Sequence, residues 1–151
     1  MRAEYIRAAA LPGQTMIVIV EDNPADVLLL RAALKSHEVN SVLYVARDGE
    51  EAIHVLEDVD KTEIPCPDLI VLDLNLPRRS GFEVLERVRS SEKCGKKPVV
   101  ILSSSEAATD RAHAARLGAS CYIRKPSTLK DFMSIGAKLK AMLAGPVGAT
   151  S

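Results

Sequence analysis

The chain has 151 residues, a length that fits one domain better than two. Hydrophobic residues make up 47% and charged residues 26%, enough apolar side chains for a core and far from disordered, collagen-like or low-complexity compositions. Basic and acidic residues number 20 each, so the net charge is zero, without the basic excess of a nucleic-acid binder or a membrane-surface protein.

Residues 1–15 read as an N-terminal extension, its apolar stretch Ala8 to Leu11 too short for a secretory signal. Met16–Val20 predicts the first strand. No apolar run in the chain is longer than this one, far below the ~20 residues of a membrane helix, so no bilayer span is expected. A helix follows, with Asn23 as N-cap, Pro24 at its first position and Asp26 in the first turn, where a carboxylate complements the helix dipole. Val27, Leu30 and Leu34 mark its apolar face. Further strands are expected at Val42–Ala46, Leu69–Leu72, Val99–Leu102 and Cys121–Ile123, separated by helix-length amphipathic segments. Asp58–Pro67 and Ser91–Lys97 read as surface loops, and Ser104 as an ordinary N-cap. A single last helix carries Leu129, Phe132, Met133, Gly136, Leu139 and Leu143, stops at Gly145 and Pro146, and leaves a flexible tail over 145–151.

This alternation implies an α/β fold, a doubly wound five-stranded parallel sheet, as one domain over 16–144. Cys66, Cys94 and Cys121 are odd in number and in no metal-binding spacing, so reduced thiols in a cytoplasmic protein are expected. His37, His54 and His113 are scattered and form no metal or nucleophile partnership.

Parallel strands bring their carboxyl ends to one sheet edge, where ligands bind in open α/β folds. That edge collects Glu21 and Asp22 after the first strand, Asp73 after the third, Ser103 after the fourth and Lys125 after the fifth. Three carboxylates so close repel one another unless a cation neutralises them, and Mg²⁺ is the natural oxygen-seeking candidate. Asp73 then suits the role of nucleophile toward a phosphoryl group, with Lys125 and Ser103 contacting its oxygens.

Val-Glu-Asp-Asn at 20–23, Leu-Asp-Leu-Asn-Leu-Pro at 72–77, Ser103 and Lys-Pro at 125–126 together resemble a response-regulator receiver domain. The resemblance implies a flavodoxin-like (βα)5 fold with strand order 2-1-3-4-5. It implies Asp73 as phosphoacceptor, Glu21 and Asp22 as the acidic pair, and the Asn75 backbone carbonyl as a further ligand of Mg²⁺. It also implies Ser103 and Lys125 as readers of the phosphoryl group, Tyr122 as an aromatic switch and a cis Lys125–Pro126 bond. Asn-Pro-Ala-Asp-Val at 23–27 and Pro-Arg-Arg-Ser-Gly at 77–81 are similar to single-domain regulators paired with phytochrome-type sensor kinases. The implied partner is a sensor histidine kinase or phosphotransfer protein; a homodimer through the fourth helix, fifth strand and fifth helix is a separate hypothesis, prompted by the apolar Met142 and Leu143. The rival reading is a Mg²⁺-dependent phosphatase forming an aspartyl phosphate, which needs a general acid where this chain has Asn75.

Overall fold

In a computed structural model that describes residues 13–144, five strands alternate with helices. They are β1 (Thr15–Val20), α1 (Pro24–Ser36), β2 (Ser41–Ala46), α2 (Gly49–Lys61), β3 (Leu69–Leu72) and α3 (Gly81–Ser90), then β4 (Val99–Ser103), α4 (Ala108–Arg116), β5 (Cys121–Arg124), α5 (Leu129–Met133) and α6 (Ile135–Leu143). Nearly all of the N-terminal extension and the whole C-terminal tail, including the stop at Gly145 and Pro146, lie outside the described residues. All strand pairs are parallel and the order is β2-β1-β3-β4-β5, as expected for a doubly wound receiver-like sheet.

Each strand begins and ends within one residue of its expected limits, because Val- and Ile-rich runs are stiff, extended and apolar on both faces. β3 and β4 are buried at every position, since helices cover them from both sides. Alternate residues feed two cores. Val18, Val20, Ile70, Leu72 and Ile101 pack with Val55, Leu56, Val84, Leu85 and Val88 on one side. Ile17, Ile19, Val71, Val100 and Leu102 pack with Leu30, Leu34, Phe132, Ile135 and Leu139 on the other.

The structure corrects the sequence reading at five places. The last helix divides at Ser134, whose hydroxyl bonds the Asp131 carbonyl at 2.6 Å, while Ala137 N–H reaches back only three residues to the Ser134 carbonyl. The loop expected from Asp58 begins only after Lys61, since α2 runs on. Ser104 does not cap a helix: α4 starts at Ala108, and the Ser105 hydroxyl takes the Ala107 N–H and donates to Asp110. Lys125–Pro126 is not cis, since no cis peptide bond occurs among the described residues. Cys66 and Cys94 form a disulfide with Cα atoms 5.7 Å apart, leaving Cys121 free. Both precede strands in a parallel sheet, so the fold brings together thiols that their sequence separation of 28 kept apart on paper. Among the described residues no helix is long and apolar enough to cross a membrane.

Candidate functional site

Sheet register sets the site. Val20, the last residue of β1, lies beside Leu72, the last of β3, and Asp73 N–H donates to the Val20 carbonyl at 3.0 Å. Glu21 and Asp22 therefore leave the sheet next to Asp73. Ser103 ends β4 beside Arg124 of β5, and Lys125 N–H donates to the Ser103 carbonyl at 2.8 Å. Gly81 seats the N-terminus of α3 against this edge, where any Cβ would overlap the Asp73 carbonyl oxygen.

The structure brings Glu21, Asp22, Asp73 and Lys125 into one cluster. One carboxylate oxygen from each acid lies within 4.8 Å of the others; Glu21 and Asp73 are buried and Asp22 is open to solvent. Lys125 Nζ lies 2.8 Å from Glu21 Oε1 and 3.2 Å from Asp73 Oδ2. It also lies 2.8 Å from Asp26 Oδ2, a partner that the sequence reading missed because the helix dipole already accounted for an acid there. The available signal was topological: the first turn of α1 opens onto the same edge as Glu21 and Asp22.

Two groups of the cluster, Glu21 and Lys125, are shifted from their ordinary values. Burial pushes the Glu21 carboxyl up to about 7, with Asp73 repulsion adding to it, and the hydrogen bonds from Lys125 and Asn23 N–H offset only part of this. Burial works to lower the Lys125 pKa, but hydrogen bonds to Asp26 and Glu21 and the charge of Asp73 outweigh it and hold the ammonium above the ordinary lysine range. Even with one full positive charge among them, the carboxylates carry excess negative charge. Hard oxygen donors, two buried and one open to water, fit a small divalent cation that keeps part of its water shell.

The other expected residues surround this cluster. Asn75 N–H donates to Asp73 Oδ1 at 3.2 Å. Ser103 is fully buried, and its hydroxyl accepts the Ser105 N–H at 3.2 Å. Tyr122 stands one shell further out: half-buried, with its hydroxyl donating to the Ser105 carbonyl at 3.1 Å and the Arg111 guanidinium 4.5 Å above its ring. It thereby couples β5 to the loop that leaves Ser103.

Comparison with known proteins points to a family. The family model described as a response regulator receiver domain matches residues 17–135. Among curated proteins, the chain is 36% identical over 121 residues to the response regulator Rcp1 of a Synechocystis strain, covering 80% of this chain and 82% of that protein. Among solved structures, that of the phosphorylated cyanobacterial phytochrome response regulator RcpA superposes with a TM-score of 0.78 at 34% identity, covering 88% of this chain and 96% of that one. The Mn²⁺-bound form of Rcp1 superposes with a TM-score of 0.75 at 33% identity, covering 84% and 92%.

Proposed function

Because the chain belongs to the response regulator receiver family of two-component signalling, we propose that it accepts a phosphoryl group on Asp73 from the phosphohistidine of a sensor histidine kinase or phosphotransfer protein. Receivers are signalling proteins and not enzymes of small-molecule metabolism. The observation that carries the reading is the meeting of Asp73 with Glu21, Asp22 and the Lys125 ammonium at the carboxyl edge of the sheet.

In the proposed step, a carboxylate oxygen of Asp73 attacks phosphorus, an O–P bond forms, and the N–P bond to the donor imidazole breaks. The imidazole leaves as a neutral ring and takes its proton from solvent. Lys125 draws negative charge from the phosphoryl oxygens, and the Ser103 hydroxyl, whose oxygen accepts the Ser105 N–H, has its own proton to donate to them. Glu21, Asp22, Asp73 and the Asn75 backbone carbonyl would hold Mg²⁺, which when bound neutralises the carboxylates and the incoming phosphate. Water attack on the acyl phosphate, assisted by the same groups, returns the chain to its starting state. The phosphatase reading gains no support, since Asn75 offers an amide where a general acid is needed.

Phosphorylation would draw Ser103 and Lys125 inward and shift the loop that Tyr122 grips through the Ser105 carbonyl. The readout is a changed surface on α4, β5 and the C-terminal helices, taken up by a partner or a second copy, without nucleic-acid contact. Similarity to phytochrome response regulators supports a phytochrome-type kinase as donor, in the cytoplasm. Incubation with acetyl phosphate, with and without Mg²⁺, tests it by intact-protein mass. A Mg²⁺-dependent phosphoryl adduct on the wild type that is absent from Asp73→Asn is expected; equal labelling of the variant overturns it.

A further inference from the structure

Lys125 makes its two shortest ion pairs, at 2.8 Å each, to acids other than the proposed acceptor, while Asp73 lies at 3.2 Å. Of these two acids, Glu21 belongs to the carboxylate cluster that fits a cation and Asp26 does not. A cation at that cluster shares the charge of Glu21 and Asp73, whereas the charge of Asp26 stays with Lys125. Both partners are shielded, with side chains 15% and 16% exposed, so their attraction is screened less than that of a surface pair. Asp26 is also held in place: Asn23 caps α1 through the Ala25 N–H, Pro24 fixes its first turn, and an acid in that turn complements the helix dipole.

We propose that Asp26 is a positioning residue that competes with the acceptor site for Lys125, restraining the ammonium and limiting how far it neutralises the phosphoryl group. The inference rests on the reading of Asp73 as acceptor. A lysine ammonium on its flexible stem follows the strongest local anion. In the resting state Asp26 is one of those anions; once a phosphoryl group carrying a charge of roughly −1.5 to −2 arrives at Asp73, Lys125 must be pulled from Asp26 or shared with it. Asp26 thus opposes both the transfer and the stability of its product.

The test compares full-length wild type, Asp26→Asn, Asp26→Ser and Asp26→Glu. Each is incubated with limiting acetyl phosphate and Mg²⁺ and followed by intact mass during labelling and after removal of the donor. Thermal unfolding identifies any variant that fails to fold, and serine keeps a residue suited to a helix start. Loss of an ion pair at a partly shielded site corresponds to a change of about threefold or more. Asn and Ser variants are expected to label faster and hold the phosphoryl group longer by that factor, with Asp26→Glu restoring wild-type behaviour. A general loss of helix packing would not be rescued by charge in this way. Asn and Ser variants that label at the wild-type rate or slower, while the wild type is labelled, overturn the inference alone. A wild type that takes no phosphoryl group overturns the receiver reading, and the inference with it.

Discussion

Glu21, 3% exposed, directly follows β1, whose residues after Thr15 are all apolar, and its carboxyl is pushed up to about 7 from an ordinary 4.5. The folded chain therefore binds a proton there more tightly than the unfolded chain does. A raised carboxyl pKa contributes stability below pH 4.5 that is lost as pH rises toward 7. In chelator, the stability of the wild type minus that of Glu21→Gln should fall across this window, with a slope of at most about 1.4 kcal/mol per pH unit. Urea unfolding of both proteins at several pH values checks this, and a flat difference would show that folding leaves the Glu21 carboxyl unshifted. At this scale the sequence revealed much of the site, because strand ends in a parallel sheet share an edge and Glu21, Asp22, Asp73 and Lys125 are of types that need one another. Asp26 was hidden because one sufficient reason for an acid there masked a second.

Among the helices, α1 and α4 end in the same motif with different residues. At the end of α4, Gly118 takes a left-handed φ of 94°, with Gly118 N–H bonded to the Ala115 carbonyl and Ala119 N–H to the Ala114 carbonyl. At the end of α1, Glu38 takes φ 56°, with Glu38 N–H bonded to the Lys35 carbonyl and Val39 N–H to the Leu34 carbonyl. A residue with a Cβ gives up about 1–2 kcal/mol in that conformation, part of which glycine regains and part of which it loses to greater freedom when unfolded. Glu38 is exposed, so Glu38→Gly should stabilise the chain by about 0.5–1 kcal/mol, read as a higher urea midpoint at unchanged slope. A lower midpoint would contradict it. Strands were legible to within a residue because they are apolar runs, whereas helix limits depend on competing local bonds that periodicity does not show. The Ser134 hydroxyl divides the last helix, and Ser105, not Ser104, serves the start of α4.

Across the whole molecule the two edges of the sheet are held differently. On the edge away from the site, Arg89 donates to the carbonyls of Gly95, Lys97 and Gly118, and Lys93 to those of Val59, Thr62 and Ile64. The Cys66–Cys94 disulfide joins the same loops. The sequence could not show this, since these ties link loops that only the finished sheet brings together. Replacing both cysteines by serine should lower the unfolding free energy by about 2–4 kcal/mol, for a closed loop of this kind, while leaving acetyl phosphate labelling unchanged. Equal urea midpoints, or a loss of labelling, would contradict this division. On the other edge, the carboxylates outnumber the Lys125 ammonium and leave negative charge that a cation would balance, and the proposed acceptance of a phosphoryl group on Asp73 is the central claim. Its most direct test is to label the protein with acetyl phosphate and Mg²⁺, reduce it with borohydride, and map the product by peptide mass. The account predicts homoserine in place of Asp73 and at no other position. Conversion of Glu21, Asp22 or any other acid with Asp73 intact would contradict it.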